Sequence, residues 1–163
     1  MCKVGLVFKL FCFTVMAFGE QGKDVTVSLV KPVDEGRSLA QHQAIGDEVE
    51  ITCFTEDVND VTLHFQIIRL RKQIYVWIGC NSAKFGNLYA ASTTRPNNMV
   101  SVASVLGGAA DNTGSSIAHR LVLKTGLNIV LACNIPKNSP MLEADAEKKL
   151  FQKLRALGYT SSQ

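Results

Sequence analysis

The sequence predicts a single α+β domain: a mainly antiparallel sheet of about six strands with two helices on one face, in the chain order βββββαβα. Three observations carry this. Apolar residues alternate with period two through successive segments between residues 51 and 106. The period changes to helical spacing after residue 111, and one further apolar strand and an amphipathic helix close the chain.

The opening segment does not fit that scheme. Met1-Cys2-Lys3 precedes a run from Val4 to Gly19 that looks like a secretory signal, with a lysine before an apolar stretch and a small residue near its end. Lys9 falls inside the run, where a charge is costly in a membrane. The run ends before about 18 uninterrupted apolar residues accumulate, so it is too short to span a bilayer. It reads as an atypical start on a cytosolic protein, with a working signal as the alternative. Residues 20–50 are polar and contain Pro32, Gly36 and Gly46, which marks a flexible leader with a short strand at Val25–Val30. Residues 1–50 are therefore a leader, and residues 51–163 the domain.

Ile51–Thr55 reads as the first strand of that domain. In Val61–Leu70, Val61, Leu63, Phe65 and Ile67 fall on one face and Thr62, His64, Gln66 and Ile68 on the other. Gln73–Cys80 alternates again, with Ile74, Val76 and Ile78 opposite Tyr75 and Trp77, and the link Arg71-Lys72 makes a hairpin. Asn87–Thr94 and Met99–Leu106 are two more strands around the turn residues Arg95-Pro96-Asn97-Asn98. Asp111 to Ser115 offers several helix caps. Ile117, Ala118, Leu121 and Val122 then follow helical spacing up to Gly126. Leu127–Ile135 is an apolar strand. Ser139 as N-cap, Pro140 in the first turn and Glu143 near the positive end of the dipole open a second helix. Its apolar stripe is Leu142, Ala146, Leu150, Leu154 and Leu157, and Gly158 ends it.

The 163 residues are 47% apolar and 19% charged, which is globular composition. The net charge of +3 is dispersed. Its densest cluster, Arg69-Leu70-Arg71-Lys72, is a turn between strands rather than a basic stripe with interleaved aromatics, so no nucleic-acid partner is implied. Five cysteines (Cys2, Cys12, Cys53, Cys80, Cys133) show no CxxC spacing and no nearby histidine. They read as buried reduced thiols rather than as a metal or disulfide framework.

No catalytic, cofactor-binding or metal-ligating residue is assigned. Gly107 to Gly114 is glycine-rich and precedes a helix, but Gly114 is followed by Ser115-Ser116 where a phosphate loop needs Lys-Ser/Thr. It reads as a tight structural loop. His119 has Ser115 and Ser116 one turn back and only Asp111 as a possible orienting carboxylate, which does not make a nucleophilic system. Asp57 and Asp60 lack the ligand spacing of a calcium loop and mark a turn. Arg120, Lys124, Lys148, Lys149, Lys153 and Arg155 form a solvated helical face, or a rim for an acidic protein surface.

Two helices cover one sheet face only. With Leu63, Phe65, Ile67, Val76, Ile78, Ile129 and Leu131 under the helices, the strand phases put Ile68, Tyr75, Trp77, Tyr89, Val100, Val102 and Val130 on the other face, among His64, Gln66 and Asn128. Aromatic residues among small polar ones are typical of an interface centre. These seven residues are the candidate partner interface.

A series of local signatures resembles the proteasome assembly chaperone 4 family across residues 51 to 158. These are Leu63-His64-Phe65-Gln66-Ile67-Ile68-Arg69-Leu70, then Ile74-Tyr75-Val76-Trp77-Ile78-Gly79, then Asn87-Leu88-Tyr89-Ala90-Ala91. Val105-Leu106-Gly107-Gly108 with Asp111 and Thr113-Gly114 leads into Ile117-Ala118-His119-Arg120-Leu121, and the strand at Asn128–Ile135 and the closing helix complete the series. The resemblance implies a non-enzymatic factor without cofactor. It implies pairing with a proteasome assembly chaperone 3-like protein, help to α-type subunits in forming the outer ring of the proteasome core, and a cytoplasmic or nuclear location with no membrane partner. The other reading of the chain is a secreted or lumenal disulfide-containing binding domain.

Overall fold

The computed structural model describes residues 25–29, 49–80, 86–107, 113–136 and 139–160. One sheet runs through it. Its strands are β1 (Val25–Leu29), β2 (Val49–Val58), β3 (Val61–Leu70), β4 (Gln73–Cys80), β5 (Asn87–Thr94), β6 (Met99–Leu106) and β7 (Asn128–Asn134). The helices are α1 (Thr113–Thr125) and α2 (Pro140–Ala156). The spatial order is β1-β2-β3-β4-β7-β5-β6. The expected α+β domain is present, with the short upstream strand as its outermost member, paired antiparallel to β2.

β1 to β4 form an antiparallel meander. β2 is longer than its alternation suggests, because Glu56 and Asp57 look like loop residues yet remain in register with Leu63 and Thr62. The β2–β3 connection is the pair Asn59-Asp60, at φ 49° and 62°. Left-handed backbone at both central residues matches the twist of a two-residue hairpin, and Asn and Asp tolerate it. Thr62 Oγ1 donates to Asp57 Oδ1 at 2.7 Å beside this turn.

β7 enters between β4 and β5, parallel to β4 and antiparallel to β5. α1 carries the chain from the β6 edge back to this central slot and ends at Gly126, whose φ of +68° suits a residue without Cβ. Ser139 occupies the N-cap of α2, but its hydroxyl makes no cap bond; its carbonyl accepts from the Glu143 amide at 3.0 Å.

Both helices cover the same sheet face and share one core with it. Leu63, Phe65, Ile67, Val76, Ile78, Ile129 and Leu131 are buried there with Ile117, Leu121, Leu150 and Leu154. α2 is also fastened to β2. Lys149 Nζ donates to Glu56 Oε2 at 2.6 Å, the Lys153 ammonium stands 5.3 Å from the Phe54 ring centre, and Tyr159 Oη donates to Glu50 Oε2 at 2.6 Å. Arg69 lies 5.4 Å from the Tyr159 ring centre. These contacts place Glu50, Phe54, Glu56 and Arg69 on the helix side, which leaves Ile51, Cys53 and Thr55 of β2 and Ile68 of β3 on the other.

Candidate interaction surface

The helix-free face can be read from the strand registers. Ile51 faces Ile68, Ile68 faces Tyr75, and Tyr75 faces Val130, which in turn faces Ala90. One step along, Cys53, Gln66, Trp77, Ala132 and Leu88 form a second row, and Leu88 faces Leu106 at the edge. A third row starts with Thr55, His64 and Gly79. These rows contain no Lys, Arg or Glu. Asp57, opposite Thr62 at the hairpin end, is the nearest carboxylate. Of the other charged strand residues, Glu50, Glu56 and Arg69 sit on the helix side. An uncharged, partly apolar sheet face is what a protein partner covers and what water covers poorly.

Of the seven candidate interface residues, Ile68, Tyr75, Trp77 and Val130 lie on this face. Tyr89, Val100 and Val102 do not, and this corrects the expected phase of β5 and β6. Tyr89 faces Leu131, Ala91 faces Ile129, and Val102 faces Ala91, so all three belong under the helices. Tyr89 is only 2% exposed, and Val100 and Val102 pack half-buried against the core. The alternation within each strand was right, but only pairing fixes the phase between strands. The extra residue Val105 shifts the phase once more only at the far end of β6, where Leu106 comes opposite Leu88.

The face is not uniform in depth. Trp77 is 4% exposed, and its ring lies over Gly79, where an added Cβ would meet Cζ2 at 2.5 Å. Gln66 and Cys53 beside it are buried, with Gln66 Nε2 donating to Cys53 Sγ at 3.6 Å. This row forms the floor. Ile51, Ile68, Tyr75, Val130, Leu88 and Ala90 are half-buried and form the accessible part. His64 sits at one end, its Nδ1 buried and without a hydrogen bond among the described residues. Burial lowers the His64 pKa, with the nearby Asp57 carboxylate acting the other way.

The other sequence candidates fall elsewhere. Cys53, Cys80 and Cys133 are buried and form no disulfide among the described residues, and burial raises the Cys80 pKa; Cys2 and Cys12 lie outside the described residues. Gly114 opens α1 directly against the Tyr89 ring, which gives the end of the glycine-rich loop a packing role; residues 108–112, including Asp111, lie outside the described residues. His119 is half-buried on α1. In the helical cation set, Arg120 is held by Glu147 through two hydrogen bonds of 2.5 Å, which raises its pKa, and Lys149 and Lys153 are engaged on β2. A groove of about 350 Å³ between the helix N-terminal halves is crossed by that Arg120–Glu147 pair. Among the described residues no cluster of three metal-ligating side chains occurs, and no helix is long and apolar enough to cross a membrane.

Among the described residues the helices cover one face of the sheet, and the paired rows of the other carry no Lys, Arg or Glu. The family model for proteasome assembly chaperone 4 matches residues 62–135, from the start of β3 to just past β7. The chain is 24% identical to human (Homo sapiens) proteasome assembly chaperone 4 over 113 residues, 69% of this chain and 91% of that protein. It is 22% identical to the mouse (Mus musculus) protein over 117 residues, 71% of this chain and 94% of that one. A chain in the crystal structure of a chaperone complex for yeast 20S proteasome assembly has the same fold, with a TM-score of 0.50 at 14% identity over 67% of this chain and 94% of that one. These similarities bear out the resemblance read from the sequence. The matched family is one of chaperones.

Proposed function

We propose that this chain is a proteasome assembly chaperone that works by binding other proteins. It pairs through its helix-free sheet face with a second small chaperone of the proteasome assembly chaperone 3 kind. The pair promotes association of α-type subunits into the outer ring of the proteasome core. It does so without catalysis or cofactor, in the cytoplasm and nucleus.

The observation that carries this reading is the uncharged face of which Ile68, Tyr75, Trp77 and Val130 are part, in a chain similar over most of its length to proteasome assembly chaperones. Burying such a face against a second sheet removes apolar area from water, at about 25 cal/mol per Å² before the costs of association. The half-buried side chains supply that area, and Gln66, His64 and Tyr75 give it polar register.

Affinity capture of the full chain from the soluble extract of its own cells, with mass spectrometry of what binds, tests the reading. Co-purification of a second small chaperone together with α-type proteasome subunits is expected. Recovery of neither contradicts it.

A further inference from the structure

β6 ends the sheet, and its outer side has no strand beside it among the described residues. A terminal strand carries a row of backbone N–H and C=O groups that only water or another extended chain can satisfy. Proteins ordinarily guard such an edge with charge, proline or a short strand. β6 has none of these. Its eight residues, Met-Val-Ser-Val-Ala-Ser-Val-Leu, contain no charge, no proline and no glycine. Met99 is 66% exposed, Val105 60% and Leu106 50%. The exposed positions between them are the small residues Ser101, Ala103 and Ser104, which leave room for side chains of an added strand.

The edge is also held in place. Val100 and Val102 pack against the core from the helix side. The turn into β6 is fixed by Thr94 Oγ1 donating to the Met99 carbonyl at 2.9 Å. The run Met99–Ser104 is in unbroken register with β5, and the register shift comes only after it, so Val105 stands as the extra residue. An incoming strand therefore meets a regular template six residues long, already fixed before binding. We infer that the outer edge of β6 at Met99–Ser104 is a strand-addition site, which takes an extended, uncharged segment of a partner polypeptide. The segment must be extended because backbone pairing is what the edge offers. It must be neutral because no side chain of β6 could answer a charge. Ser101 and Ala103 stand opposite Ser92 and Ala90, so this edge adjoins the helix-free face, and an edge-on contact here extends the face-on one.

The test uses the full chain and a capped eight-residue peptide of alternating threonine and valine at millimolar concentration. Amide hydrogen exchange is followed residue by residue. Slower exchange of β6 amides with this peptide is expected. No change is expected with a peptide of equal length carrying a central proline. The double variant S101K/A103K should lose the protection while its melting temperature stays within a few degrees of the parent. Unchanged β6 exchange with the neutral peptide would overturn the inference. So would β6 protection that grows with the concentration of the chain alone, since the edge would then be a contact between copies.

Discussion

Gly114 stands against the ring of Tyr89 so closely that a Cβ on the glycine would lie 2.2 Å from Cε2. The first turn of α1 thus rests on the central aromatic of β5, and Tyr89 is sealed under the helix. Alanine in place of glycine normally stabilises a helix by about 0.5–1 kcal/mol. Here Gly114→Ala is expected to destabilise the chain by about 1–3 kcal/mol, as overpacking does. Urea unfolding reads the sign. In a double-mutant cycle Tyr89→Ala should remove most of the penalty, because the two residues are in contact.

Trp77 is in the floor of the open face and already buried within the chain. Trp77→Ala should therefore lower the chain's own stability by about 3–5 kcal/mol, the range for deleting a buried aromatic. Tyr75→Ala, half-buried on the same strand, should cost clearly less. Parallel denaturant titrations compare them.

The bond from Tyr159 Oη to Glu50 Oε2 closes the chain onto β2 beyond the end of α2. Burial and the Glu50 carboxylate together raise the Tyr159 pKa above the ordinary tyrosine range. Because the folded state holds the phenolic proton more tightly than the unfolded chain, this contribution is complete below pH 10 and fades as pH rises above it. Tyr159→Phe should cost about 1.5–3 kcal/mol at neutral pH, the range for a hydrogen bond to a charged group. It should also flatten the alkaline decline in stability.

His64 has the opposite sign. Its folded pKa lies below the unfolded value of 6.5, with burial as the main cause. The neutral form is favoured by folding, so its contribution is complete above pH 6.5 and is lost as pH falls from there through the folded pKa. His64→Gln should reduce the loss of stability between neutral and mildly acidic pH. NMR titration of the ring should give a midpoint below 6.5.

Much of this was legible in the sequence because strand alternation and helix caps are local signals. β3, β4, β5 and β6 have the bounds their alternation implies, and both helices stop where Gly126 and Gly158 stand. The far end of β2 was hidden because Glu56 and Asp57 look like loop residues, and their partners Lys149 and Thr62 appear only in three dimensions. The Asn59-Asp60 pair was the signal that could have found it. The open face was half legible. Ile68, Tyr75 and Trp77 lie on one hairpin, so their common face follows from alternation and turn length. Val130 follows only because β7 pairs in parallel with β4. Tyr89, Val100 and Val102 were misplaced because β5 meets β4 only through β7, and no local rule carries phase across that gap.

The central claim is that the helix-free face binds the partner. Native mass spectrometry of complexes captured with the parent chain, with Ile68→Asp/Val130→Asp, and with Leu123→Asp tests it most directly. Ile68 and Val130 are half-buried on the open face, and Leu123 is 57% exposed on α1 on the other side of the sheet. Each chain's melting temperature is recorded beside the spectrum. The account predicts that the double variant stays folded and loses the partner chaperone, while Leu123→Asp keeps it. A folded double variant that still carries the partner at the parent's stoichiometry would contradict it.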